Sequence, residues 1–292
     1  MLHPAAGMSV LFTNALILPC TADMPVIERG WLRVEGDRIA ALGAGAPPDA
    51  AGAIDLGGDV LMPGMVNPHS HLAMSLFRGL GEDVDDRLYR YILPLEREFV
   101  TPAMVRAGTA LSALELIRGG VTTVADMYYF ETEVARVLDT AGLRAVVGQT
   151  LADFAPPDHR DFDEGFARVA ELVDGWQGHP RITPSIAPHA PYSTGRVVME
   201  RVARWAEAHP ELPIQMHVAE TGPENDWAAA QGLTPVQAVA EAGLLRRGLV
   251  AAHCLHVSPG DIGLMAGAGV GVAHNARANG KGGRGIAPVT AM

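Results

Sequence analysis

Hydrophobic positions fall into two regimes along this chain. From residue 9 to residue 62, short apolar runs are separated by turn residues. Ser9 to Leu18 is predicted as one strand, and Trp31-Leu32-Arg33-Val34-Glu35 as another. Gly36-Asp37-Arg38 makes a turn into Ile39-Ala40-Ala41-Leu42. An Ala/Gly/Pro-rich link runs from Gly43 to Gly52, and Ile54 to Met62 is a further apolar, strand-like run. This is the pattern of a small β unit, and it holds no cluster of catalytic residues.

From Pro63 onward, strand-length apolar runs alternate with amphipathic stretches of helical length. Strands are predicted over 66–71, 121–127, 144–151, 182–187, 213–218, 249–253 and 270–274. Helices are predicted over 101–118, 131–140, 162–176, 196–209, 234–242 and 258–268. The first of these has Thr101 as N-cap and Pro102 at its first position, with Met104, Ala107, Leu111, Leu114 and Ile117 on one face. The alternation predicts a parallel α/β fold, divided into an N-terminal β region over 1–62 and an α/β domain over 63–292.

Two parallel architectures compete. A doubly wound sheet gathers its site at one switch point, whereas a (β/α)₈ barrel collects residues from the C-terminal ends of many strands. Here the polar residues fall at strand ends, one strand after another: His69 and His71, Asp126, His189, His217 with Glu220, His253, and His274-Asn275. Five of the 11 histidines, His69, His71, His189, His217 and His253, sit where a barrel would converge them. His69 and His71 are two positions apart, so a strand would aim both at one point. Three neutral imidazoles, His69, His71 and His217, suit a divalent ion such as Zn²⁺ or Fe²⁺. Such an ion would lower the pKa of a bound water from about 15.7 toward about 7. Glu220, just past the strand that ends in His217, is placed to shuttle the proton, and His253 to polarise the bond under attack. No lysine stands at the end of the fourth strand to bridge a second ion, so one metal is expected.

Composition narrows the partners. The formal net charge is −11, and no basic cluster stands out, which argues against nucleic acid and anionic membranes. Two cysteines, Cys20 and Cys254, do not make a disulfide scaffold, so a cytoplasmic compartment is expected. No apolar stretch is long enough to span a bilayer. The expected ligand is a small molecule.

The stretches PGMVNPHSHLAMSLFRGLGED, LPLERE, GGVTTVADMYYF, APHAPYST, HVAET, AAHC and HNARANGKGGRGIAPV together resemble the amidohydrolase superfamily. They are most similar to its branch of triazine chlorohydrolases and of deaminases of S-adenosylhomocysteine, methylthioadenosine, guanine and related bases. The resemblance implies a metal-dependent (β/α)₈ barrel with a β-sandwich built from both chain ends. It also implies that His69, His71 and His217 ligate the metal and that Glu220 is the proton shuttle. By the same resemblance, His253 holds the tetrahedral intermediate and His189 contacts substrate. Glu96 matches a position that binds ribose hydroxyls, and Asn275, Asn279 and Lys281 match the loop after strand seven. Tyr128 and its neighbours could wall a base pocket or simply pack the core. The implied activity is hydrolytic deamination of adenosine-like nucleosides or other aminated heterocycles. The alternatives are a triazine chlorohydrolase or aminohydrolase, and a catalytically inactive metal-binding remnant.

Two departures stand out against that family. Ala276 occupies the place of the usual proline after His-Asn, in a Gly-rich segment. The family's metal-ligating aspartate at the end of strand eight has no counterpart before Met292, so about seven barrel strands are expected. Such an incomplete barrel exposes two edges, which favour homo-oligomers.

Overall fold

The computed structural model describes residues 9–292 except Glu82, Asp83 and Asp85. It separates into two compact units that meet in sequence between Met65 and Val66.

The first unit is one five-stranded sheet of β1 (Ser9–Ile17), β2 (Ile27–Glu35), β3 (Arg38–Ala44), β4 (Ile54–Asp55) and β5 (Val60–Leu61). β1 pairs antiparallel with β2, and β2 with β3. Ala15, Ile17 and Leu32 form its buried centre. The apolar run Ile54 to Met62, expected as one strand, is broken. Gly57 and Gly58 take φ of +62° and +96°, which turns the chain between β4 and β5. The Asp55 carboxylate fixes the break by accepting from Gly57 N at 2.8 Å and Asn14 Nδ2 at 2.9 Å. Both short strands then pair parallel to β1.

The second unit carries seven strands in sequential order: β6 (Met65–Asn67), β7 (Val121–Tyr128), β8 (Arg144–Leu151), β9 (Ile182–Pro188), β10 (Ile214–Val218), β11 (Leu249–His253) and β12 (Gly271–Ala273). From β7 to β12, neighbours pair parallel. The helices are α1 (Leu93–Phe99), α2 (Pro102–Arg118), α3 (Glu131–Ala141), α4 (Phe162–Trp176), α5 (Pro191–Thr194), α6 (Arg196–Ala208), α7 (Gly222–Ala229), α8 (Pro235–Glu241), α9 (Pro259–Ala268) and α10 (Ala276–Lys281). This is a TIM-type barrel of seven parallel strands, as the polar residues at successive strand ends and the family resemblance implied. Among the described residues, no helix is long and apolar enough to cross a membrane.

On β10, side-chain alternation separates apolar from polar residues. Ile214, Met216 and Val218 enter the main apolar cluster beneath α6 and α8. Gln215, on the other face, donates to Asp126 O at 3.0 Å and fills the interior opposite Gly148. A Cβ on Gly148 would stand 2.7 Å from the Gln215 amide, so a larger residue there would have to displace that side chain.

Helix α2 begins where the sequence placed it, with Thr101 Oγ1 accepting from Met104 N at 3.2 Å. Its buried face differs from the expected one. Val105, Gly108, Thr109, Ser112 and Ala113 are buried, while Leu111 and Leu114 are 39% and 56% exposed. The helix packs closely on the 3₁₀ segment Leu72–Phe77, and small residues permit that approach. A Cβ on Gly108 would collide with the Ala73 carbonyl. Ser112 Oγ donates to Leu72 O at 2.8 Å, and Ser75 Oγ to Gly108 O at 2.9 Å.

Candidate active site

The strand β6 ends at Asn67, because Pro68 cannot continue the ladder. His69 and His71 therefore lie in the loop beyond it, and the same-face argument from a strand does not apply. Another device holds them. Ser70 O accepts from Met127 N at 3.1 Å. Asp126 Oδ1 accepts from Ser70 Oγ at 2.8 Å and from Leu72 N at 2.6 Å. Asp126 is fully buried. Burial raises its carboxyl to about 6, against the pull of these donors. The loop is thus stitched to the end of β7.

The imidazoles converge. Ring centroids lie 4.9 Å apart for His69 and His71, 4.8 Å for His69 and His217, 5.4 Å for His69 and His253, and 4.7 Å for His189 and His217. The ligand nitrogens of His69, His217 and His253 all lie within 4.8 Å of one another. Burial, and then the neighbouring imidazoles, hold His69 and His217 well below the usual histidine range. Burial also lowers His71, and takes His189 down to about 3. These rings are neutral near pH 7 and offer lone pairs.

Hydrogen bonds fix which nitrogen offers its lone pair. His71 Nδ1 lies 2.6 Å from Met127 O, and His217 Nδ1 lies 2.8 Å from His189 O. A carbonyl only accepts, so both Nδ1 atoms carry the proton. Both Nε2 atoms are then unprotonated, yet they face each other at 3.2 Å. Two lone pairs at that distance repel unless a cation lies between them. The donor set of neutral imidazoles with fixed tautomers therefore fits a divalent metal ion.

Glu220 stands on a kink. Ala219 takes φ of +53° directly after β10. Ala219 N and Glu220 N donate to the buried Glu224 carboxylate at 2.8 and 2.9 Å. Burial pushes Glu224 up to about 7. This brace brings Glu220 Oε1 within 3.4 Å of His253 Nε2, and Arg284 pairs with the same oxygen. At the end of β11, His253 and Cys254 take φ of +74° and +47°. Two consecutive left-handed residues store strain, which bonds from Cys254 N to Val218 O and from Leu255 N to Ala219 O over-determine.

The other predicted residues divide. His189 Nδ1 pairs with Ser193 Oγ at 2.7 Å, and its ring joins the cluster. Glu96 is 4% exposed, accepting from Tyr128 Oη at 2.8 Å and Tyr129 Oη at 3.1 Å. Both tyrosines are core residues. Tyr128 links Glu96 to the site, its ring 6.3 Å from that of His71. Asn275 precedes α10, with its Nδ2 buried and unpartnered among the described residues. Asp126 and Glu224 act by holding loops. Asp126 stands in the sequence among the strand-end polar residues, and Glu224 shows there only as the fourth residue of a Thr221-x-x-Glu224 helix-start pattern, with nothing to announce its bonds to the Ala219 and Glu220 amides.

Comparison with known proteins follows the same lines. The 5-methylthioadenosine/S-adenosylhomocysteine deaminase of Syntrophobacter fumaroxidans is 36% identical, over 96% of this chain and 65% of its own length. That of Syntrophomonas wolfei is 37% identical, over 98% and 67%. The chain thus spans about two thirds of the length of these relatives. A zinc-bound adenosine deaminase structure from Xanthomonas campestris superimposes with a TM-score of 0.88 at 32% identity, over 97% of this chain and 66% of that one. An atrazine chlorohydrolase from Arthrobacter aurescens shares the fold, with a TM-score of 0.85 at 19% identity. The amidohydrolase family model matches residues 60–292, and the chain belongs to that family.

Proposed function

We propose that this chain catalyses metal-dependent hydrolytic deamination of adenosine-like nucleosides. The observation that carries the reading is the pair of opposed, unprotonated Nε2 atoms of His71 and His217 within a converging set of neutral imidazoles. The names of the relatives at 36 and 37% identity, and of the neighbour at 32%, support an aminated purine nucleoside as substrate.

In this reading His69, His71 and His217 hold one divalent ion, with zinc the favoured identity. When bound, the ion supplies the Lewis acidity that makes water a nucleophile near neutral pH. Glu220 accepts one proton of the attacking water and delivers it to the ring nitrogen, then carries the remaining hydroxyl proton to the amine, which leaves as ammonia as the C–N bond breaks. His253, 3.4 Å from Glu220, stabilises the charge that develops on the heteroatoms around the attacked carbon. His189 contacts the bound ring. Glu96 receives the ribose hydroxyls in exchange for its tyrosine donors, and Asn275 offers its unpartnered amide to substrate.

The test is product release from 5′-methylthioadenosine, S-adenosylhomocysteine, adenosine, guanine and a chlorotriazine, with and without added zinc. The reading expects zinc-dependent ammonia release from the nucleosides. Chloride release from the triazine alone, or metal binding without turnover of any compound, would contradict it.

A further inference from the structure

His253 makes a contact that the proposed reaction does not use. Its Nδ1 lies 2.7 Å from Oδ1 of Asn279, 26 residues further along the chain. Asn279 is 1% exposed and sits on α10, just beyond β12. Its main chain is pinned on both sides. Asn279 N donates to Asn275 O at 2.9 Å, and Arg284 N donates to Asn279 O at 3.0 Å across the turn that Gly283, at φ of +61°, permits. The side chain therefore has a fixed origin. On the far side of the same ring, His253 Nε2 faces Glu220 Oε1 at 3.4 Å.

We propose that Asn279 is the positioning residue for His253: its amide oxygen accepts the Nδ1 proton and so reserves Nε2 for the site. The inference rests on the role given to His253 above, but the contact can be tested apart from it. The chemistry is that of an amide oxygen, which accepts and never donates. With Nδ1–H committed to Asn279, a neutral ring turns its Nε2 lone pair toward the site and Glu220, and a proton taken up there makes the ring a cation that donates from Nε2. The Asn279 Nδ2 group is buried and has no partner among the described residues. The pair is therefore not held by a wider amide network, and the bond to His253 is the side chain's one described attachment. Partners that fix the tautomer of metal-ligating imidazoles through their second nitrogen cost about 10- to 100-fold in activity or metal affinity when lost, and the same kind of bond acts here on His253.

The experiment is two-dimensional ¹H–¹⁵N NMR of the chain labelled at histidine nitrogens, with His253 assigned by the signal lost in His253→Gln. The wild-type chain is expected to show a protonated Nδ1 at His253. Asn279→Ala is expected to lose that signature, and Asn279→Asp, which keeps an acceptor in place, to retain it. In parallel, Asn279→Ala should lower kcat on 5′-methylthioadenosine about 10- to 100-fold with KM little changed, and Asn279→Asp should recover part of it. An unprotonated Nδ1 in the wild-type chain, or a spectrum indifferent to Asn279→Ala, would overturn the proposal. A wild-type chain that turns over no nucleoside yet shows the Asn279-dependent signature would reject the catalytic reading and leave the positioning role standing.

Discussion

Replacing Glu96 by Gln tests how a buried acid is accommodated beside the site. The carboxyl is 4% exposed, and burial raises it from 4.5 to about 7 although Tyr128 and Tyr129 both donate to it. In the unfolded chain the group ionises near its ordinary value. Between about pH 4.5 and 7 the folded state therefore holds a proton that the unfolded state has released. Its contribution to stability is fully present below the unfolded value and is lost as pH rises through the folded one. The shift of about 2.5 units corresponds to about 3 kcal/mol. Glutamine mimics the protonated form and does not titrate. Urea unfolding of both chains, followed by tryptophan fluorescence from pH 5 to pH 8, isolates Glu96 from the other buried acids as a difference. Glu96→Gln should gain on the wild type as pH rises, approaching about 3 kcal/mol above pH 7. A difference that stays flat with pH, or moves against Glu96→Gln, would show that the two phenols keep the carboxylate ionised and would refute the reasoning. The same variant probes the ribose role. It should impair nucleosides and spare free bases, and equal impairment of both would reject that role.

Other expectations follow from the braces around the site. Asp126→Ala leaves the Leu72 amide without its acceptor, while the Ser70 hydroxyl keeps the Ala125 carbonyl, so it should lower stability by about 2 kcal/mol and weaken zinc binding measured by calorimetry. An unchanged zinc affinity would deny that Asp126 sets the histidine loop. Glu224→Ala removes the carboxylate that holds the Ala219 and Glu220 amides, and should reduce kcat while zinc stoichiometry stays intact; equal loss of both would place its role elsewhere. Gly108→Val forces α2 away from Ala73 and should cost about 2 kcal/mol, read as a lowered Tm, whereas an unaltered Tm would mean the helix shifts freely.

The strand-and-helix order was legible because several helices carry their own start signal. Thr101, Asp161, Thr234 and Ser258 all cap as their residue types suggest. The α2 face was not legible. Leu111 and Leu114 look like core residues by hydrophobicity, but the close approach at Gly108 selects small side chains for the interface. The run Ile54 to Met62 hid its break for a similar reason, since two glycines outweigh the apolar residues around them. At the site, histidines at strand ends announced their convergence. What fixes them did not, because Asp126, Glu224 and Asn279 act through contacts 26 to 56 residues away, or through backbone amides that sequence does not name.

The central claim is that the histidine cluster holds one divalent ion between rings whose tautomers are already set. Isothermal titration of zinc into the metal-free chain, beside His71→Asn and His217→Asn, measures this directly. The wild-type chain should bind one equivalent, and each variant should lose that binding while remaining folded by circular dichroism. Zinc binding that survives both substitutions, or no stoichiometric binding by the wild-type chain, would contradict the claim.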